Sequence, residues 1–330
     1  MHPTTTGLRP FFRTVACASV LVLLSITAAC GSGDDPAGTP PPTTLAPPPE
    51  VDIPYGDAAG CDGIDGDCGG SQLLDIYRSD ESGPNPVLVW VHGGGFVGGD
   101  KSGTLSQYLQ PLIDEGWDIV AVNYRLTTPD GENEFPAGLQ DVKRAVRWVK
   151  ANAAAQDWDP ASVAAIGVSA GGNLVQMLAV TSGDESLEPP AEELPADLQV
   201  VDSTIIAAVA ISPVSDLSTF GQVPFFTDAA RRYIGCSTDC AAPLAAGSVQ
   251  THVTADAAPI LAIHGADDIV AAPAQGELVQ QAYDDADIGG RFEMIVVDDG
   301  PKRFLGHDLD IERWIGDISG FLDDQRPPPA

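Results

Sequence analysis

Positive charge is scarce in this chain: 16 Lys and Arg face 47 Asp and Glu over 330 residues, a formal net charge of −31. Such a surface repels phosphate backbones, which argues against nucleic acid as a partner. It also supplies no polybasic patch for anionic lipid heads. Solubility is the plain consequence. No internal repeat is visible. Long hydrophobic runs are missing too: the near-unbroken apolar or small-residue run from Thr14 to Ala28 is shorter than the roughly 20 residues a membrane-spanning helix needs. Neither close cysteine pair has the tight two-residue spacing of a zinc site. What remains is a 44% apolar composition, enough for a sizeable core.

The apolar run follows Arg9 and Arg13 and ends Ile26-Thr27-Ala28-Ala29-Cys30-Gly31-Ser32, the layout of an export signal. Small residues before a cysteine, then Gly and Ser, resemble a bacterial lipoprotein signal, where the cysteine becomes the lipid-bearing N-terminus. Thr27 stands where such signals prefer a branched aliphatic, and ordinary cleavage nearby with free secretion is the alternative. The expected division is a signal peptide over 1–29, then Cys30 as membrane anchor with a disordered Pro/Thr-rich tether over 30–50, then a folded domain over 51–330. Cys61, Cys68, Cys236 and Cys240 fit an exported, oxidised protein with two disulfides. Three pairings are possible, and the close spacings favour Cys61–Cys68 and Cys236–Cys240. Asp62, Asp65 and Asp67 between the first pair invite a calcium reading, but the spacing and the missing terminal glutamate do not suit an EF-hand. A closed polar loop with no metal is expected.

From Val51 onward, buried strands alternate with amphipathic helices. Short Val- and Ile-rich runs stand at Val87–Val91, Ile119–Asn123, Val163–Val168, Ile205–Ile211, Ile260–Ile263 and Phe292–Val297. They suit parallel strands covered on both faces. Leu73–Tyr77 is expected as an antiparallel edge. Leu139, Val142, Ala145, Val146 and Val149 recur at helical spacing, with Lys143, Arg144, Arg147 and Lys150 on the other side. Pro273 to Ala286 and Asp308 to Leu322 read as further helices. The pattern predicts an α/β fold with a mostly parallel, doubly wound sheet and helices on both faces. Two stretches break the rhythm, near 182–202 and 212–256, and are candidate cap insertions.

Gly167-Val168-Ser169-Ala170-Gly171-Gly172 follows one strand run and opens the apolar stretch Leu174–Val180. A tight strand-to-helix turn there would hold the Ser169 hydroxyl above the sheet, with the helix dipole aimed at developing negative charge. A buried corner without chemistry is the bland alternative. His92-Gly93-Gly94-Gly95-Phe96 lies just past the strand Val87–Val91, where its bare N–H groups can meet an oxyanion together with the N–H of Ala170. The acid belongs in the loop Gly265-Ala266-Asp267-Asp268, which offers two adjacent aspartates. The base follows by elimination among five histidines. His2 is in the signal, His92 in the glycine loop, His264 on a strand and His252 in an insertion, which leaves His307 after the last strand. Ser169, an aspartate of this loop and His307 then stand in the chain order Ser, Asp, His.

These motifs, with Gly98-Gly99-Asp100-Lys101, Asn123-Tyr124-Arg125-Leu126, Phe135-Pro136-Ala137 and Asp141, resemble the α/β-hydrolase superfamily and within it the hormone-sensitive-lipase-like carboxylesterases. Polysaccharide-associated and feruloyl-type esterases are similar. The resemblance spans Leu73 to Leu322. It implies an oxyanion hole at Gly94 and Gly95, a structural role for Asp141, and Asp268 as the acid because it stands three residues after the glycine. It implies a serine esterase using Ser169, Asp268 and His307, acting on a small-molecule ester without metal or organic cofactor. A peptidase or amidase on the same fold is the alternative, and a silent, lipid-anchored binding protein a more distant one.

Overall fold

A computed structural model describes residues 50–56, 71–102, 109–219, 224–298 and 304–328. The signal segment, Cys30, the tether, Cys61, Cys68, Lys302 and Arg303 lie outside the described residues. The centre is an eight-stranded sheet. Its strands are β1 (Glu50–Pro54), β2 (Leu73–Tyr77), β3 (Asn85–Val91), β4 (Asp118–Val122), β5 (Trp158–Val168), β6 (Ala208–Ile211), β7 (Ile260–Gly265) and β8 (Phe292–Val297). They lie in the order β1-β2-β4-β3-β5-β6-β7-β8. β2 is antiparallel to β1 and β4, and every other pair is parallel. β1 is an edge strand that the sequence pattern did not reveal: it is only five residues long, ends in Pro54 and carries three exposed side chains.

Alternation along the strands divides the core into two layers. Val87, Val89, Val91, Val120, Val122, Ala165, Ala210 and Ala262 face one way. Leu88, Trp90, Ile119, Ala121, Ile166, Val209, Leu261 and Ile263 face the other. On the first face pack α2 (Ala137–Gln156), α3 (Ala170–Val180) and α7 (Ala274–Asp285), through Leu139, Val142, Leu174 and Val279. On the second pack α1 (Gln110–Asp114) and α8 (Ile315–Gln325), through Leu112, Ile318 and Leu322. Each buried aliphatic of this kind contributes roughly 1.5–3 kcal/mol. The last helix begins at Ile315, later than the apolar spacing suggests, because a 3-10 turn over Ile311–Trp314 precedes it.

The basic side of α2, opposite its apolar stripe, is not a solvated face. Lys143 and Arg144 are buried because the acidic stretch 182–202, with its short helix α4 (Ala196–Gln199), lies over them. Glu188 accepts from Lys143 at 2.8 Å and from Arg147 at 2.7 Å, and Asp202 pairs with Lys150. The other insertion, 212–256, holds α5 (Pro224–Tyr233) and α6 (Ala241–Ala246), with a disulfide joining Cys236 to Cys240.

Candidate active site

The chain runs from β3 to β4 on one side and then returns to β5 on the other, so the strand order reverses at β3. Ligands of open α/β sheets bind outside the strand C-termini at such a reversal. The loop beginning at His92 leaves β3 there, and Ser169 leaves β5 beside it.

Ser169 caps α3 with φ 55° and ψ −116°, a conformation L-residues avoid. Its N–H donates to Ile211 O at 2.9 Å, and its carbonyl accepts from Asn173 at 3.0 Å, so neighbouring elements hold the turn on both sides. The turn admits no side chain at Gly171, where a Cβ would stand 2.2 Å from Val91 O and 2.5 Å from His92 O. Gly93 is tight but less so: a Cβ there would meet Val168 O at 3.0 Å and the Ser169 Cβ at 3.2 Å, so the glycine loop lies directly against the serine.

Ser169 Oγ and His307 Nε2 are 2.8 Å apart, and His307 Nδ1 lies 2.8 Å from Asp268 Oδ2. The carboxylate draws the imidazole proton to Nδ1, which leaves Nε2 free to accept from the serine hydroxyl. Asp268 is buried, and its Oδ1 accepts from the N–H groups of Val270 (2.8 Å) and Ala271 (2.9 Å). Asp267, the other aspartate of the pair, is exposed. The structure thus brings Ser169, Asp268 and His307 into one continuous hydrogen-bonded chain.

Gly94 and Gly95 both adopt positive φ, 125° and 63°, and Gly94 O accepts from Val97 at 3.2 Å to close the loop. Ala170 is the first residue of α3, where a helix N–H has no intrahelical partner. Beneath the loop, His92 stacks on Tyr124 with ring centroids 4.4 Å apart, and its Nδ1–H donates to Gly93 O at 2.7 Å. Burial pushes the His92 pKa down to about 4, so this ring is neutral and structural. His264 is also driven to about 4 by burial, and it reaches Ala271 O rather than the serine. His252 meets Ala246 O on the insertion. Asp141 binds Arg125 and Gln72, which ties α2 to the strands and keeps it away from the serine.

Residues outside the sequence motifs also shape the site. Tyr233 of α5 stacks on Phe96 at 3.8 Å, which seats that helix on the glycine loop. One turn earlier Ala229 comes within van der Waals range, 3.7 Å, of where a Gly95 Cβ would stand. The adjacent phenylalanines divide: Phe226 is 8% exposed and Phe225 58%. A single position of helical rotation separates them. Among the described residues no cluster of three His, Cys, Asp or Glu is arranged to hold a metal.

Residues 74–283 match the BD-FAE family. A probable carboxylic ester hydrolase of Mycobacterium tuberculosis, LipM, is 33% identical over 211 residues, which are 62% of this chain and 46% of that protein. The esterase LipQ of the same organism is 29% identical over 245 residues, 71% of this chain and 52% of its own length. The chain therefore spans about half the length of these relatives. Among solved structures, a truncated carbohydrate esterase from gut microbiota superposes with a TM-score of 0.69 at 23% identity, covering 87% of this chain and 99% of that one. Esterase 2 of Thermogutta terrifontis, solved with butyrate bound, gives 0.60 at 22%, over 84% of this chain and 97% of that one. These structures share the fold.

Proposed function

Because the chain belongs to the BD-FAE family of α/β-hydrolases, we propose that it is a serine carboxylic-ester hydrolase working through an acyl-enzyme. The observation that carries this is the unbroken chain from Ser169 Oγ through His307 to Asp268, with 2.8 Å at each link. As the ester carbonyl approaches, the Ser169 Oγ–C bond forms and the hydroxyl proton passes to His307 Nε2. The oxyanion accepts from the N–H groups of Gly94, Gly95 and Ala170, whose fixed dipoles need no reorganisation. His307 then returns its proton to the leaving oxygen as the C–O bond breaks. Water repeats the sequence: its oxygen bonds to the acyl carbon as His307 takes its proton, and His307 then returns that proton to Ser169 Oγ as the acyl–Oγ bond breaks and the carboxylic acid departs. Asp268 keeps the imidazole in the productive tautomer and stabilises its cationic form.

Relatives named as esterases support ester over peptide substrates, and the butyrate seen in Thermogutta esterase 2 supports a short acyl group. The test is Ser169→Ala with short aryl esters. Turnover should fall by at least about 10³-fold with the melting temperature unchanged, and a fluorophosphonate should label only the wild type. Wild-type-like turnover in the variant would overturn the assignment. Peptide turnover exceeding ester turnover would shift it to a peptidase.

Export with Cys30 lipidation is part of the same reading. It is supported by the signal-like N-terminus and by the Cys236–Cys240 disulfide, a bond that persists in oxidising compartments. Labelled fatty acid should enter the wild type and not a Cys30→Ala chain; equal labelling of both would end that part.

A further inference from the structure

Seven large apolar side chains are exposed among the described residues, and two of them flank the proposed triad. Ile269, 50% exposed, follows Asp268 directly. Leu305, 49% exposed, stands two residues before His307. Their loops are joined, because the Ile269 N–H donates to Leu305 O at 3.2 Å. Leu305 also sits at φ 62°, ψ 29°, in the left-handed region that Asn or Gly occupies far more easily. A leucine here bears backbone strain while keeping half its surface in water. Among the described residues nothing returns either cost, which points to a ligand contact.

The chemistry says which part of the ligand it would be. His307 Nε2 must hand its proton to the leaving oxygen, so that oxygen comes within about 3 Å of the ring at acyl transfer. The group attached to it then spreads over the loops that carry His307 and Asp268. The acyl part lies on the other side of that oxygen, bonded to Ser169. We propose that Ile269 and Leu305 form the binding surface for the alcohol half of the ester, and that this half is an uncharged aryl or branched alkyl group. This rests on the esterase reading above and narrows its substrate class.

The test uses acetate esters that differ only in the alcohol, compared by kcat/KM. Wild-type enzyme should prefer 1-naphthyl acetate to phenyl acetate, and phenyl acetate to its polar ring-hydroxylated analogue. Leu305→Asn relieves the strained backbone and removes the apolar contact. Ile269→Ser removes the partner at a half-exposed position that folding tolerates. Each should lower the naphthyl-to-phenyl ratio by about five-fold, and the double variant by about twenty-fold. Leu305→Met should restore most of the ratio. For each enzyme the three esters give the same acetyl-enzyme, so the loss should fall on acylation, since the alcohol has left before the intermediate breaks down.

A ratio unmoved in both variants would overturn the proposal, as would equal slowing of acylation and deacylation, which marks a structural role. If the wild type hydrolyses no ester at all, the esterase reading fails first. If it hydrolyses all of them without regard to the alcohol, only this inference does.

Discussion

The two insertions cover the same α/β core but are fastened by different forces. Residues 182–202 leave from the far end of α3, about 16 Å of helix beyond Ser169 at 1.5 Å per residue. They are latched to α2 by a buried polar network: Glu188 with Lys143, Arg147 and Ser203, and Arg144 with the Glu193 carbonyl at 3.0 Å. Residues 212–256 are bonded to α3 at their base, from Asn173 to the Val214 and Gly247 carbonyls and from Ser215 to Gln176, but meet the glycine loop by apolar contact, with Phe226, Ala230 and Tyr233 in the core and Tyr233 stacked on Phe96. The first is a clamp on the scaffold. The second carries side chains to the edge of the glycine loop. An acidic segment therefore does two jobs in this protein, since part of the negative excess neutralises lysine and arginine that the fold buries.

The clamp gives the largest expected effect. Glu188→Ala would leave Lys143 fully buried beside Arg147 without the carboxylate bonded to it, held by the Thr181 carbonyl and the weaker pull of Asp184. Removing one partner of a buried ion pair costs about 3–5 kcal/mol, or on the order of 10 °C in melting temperature for a domain of this size. Burial already makes Lys143 easier to deprotonate than a free lysine, despite Glu188 opposing it, so the variant should lose that proton more readily still. Ester turnover at 25 °C should stay within two-fold, because the latch touches neither triad nor glycine loop. A variant that melts normally would show that the leucines packed beneath, Leu187 and Leu198, hold the segment without the charges.

Acid should separate the two regions next. His92 and His264, both in the catalytic layer, bind a proton only near pH 4 when folded and near 6.5 when unfolded. The unfolded chain therefore takes up protons first, and stability falls as pH drops from about 6.5 to about 4. Each histidine accounts for roughly 3 kcal/mol by the end of that window. The clamp responds later. Asp202 is pulled up by burial, but bonds from Lys150 and Thr204 outweigh this and hold it at about 2, so its contribution is lost only between about pH 3.8 and 2. Hydrogen exchange across pH 7 to 4 should show amides around Gly93 and Ala271 opening before those of residues 187–199. The reverse order would mean that the buried histidines are not what limits acid stability.

How much of this was legible in the sequence depends on distance along the chain. Apart from β1, the strands and the Ser169 turn are local patterns of apolar runs and glycine, and they stand close to where the alternation implied, with β6 beginning only at Ala208. The burial of Lys143 was hidden because its carboxylate partner is 45 residues away and its helical spacing looks solvated. Asp267 and Asp268 could not be told apart by composition. The difference lies in which carboxyl receives the Val270 and Ala271 N–H groups and faces His307. Phe225 and Phe226 are a further case, since one step of rotation decides between surface and core, and no pattern within α5 fixes the helix's rotation without knowing that Tyr233 meets Phe96.

The smallest effect probes that stack from inside. The Tyr233 hydroxyl is buried and has no hydrogen-bond partner among the described residues, so it loses hydration without recompense. Tyr233→Phe keeps the ring on Phe96 and removes the orphaned oxygen. The melting temperature should rise slightly, by an amount equivalent to about 1 kcal/mol, with ester kcat/KM unchanged. Tyr233→Leu keeps apolar volume but loses the stacked geometry, and it should lower kcat/KM as the glycine loop loosens. If Tyr233→Phe destabilises instead, a bound water or substrate group uses that hydroxyl. The second insertion would then hold the site by a polar contact, as the first holds the scaffold, and the contrast between the two would narrow.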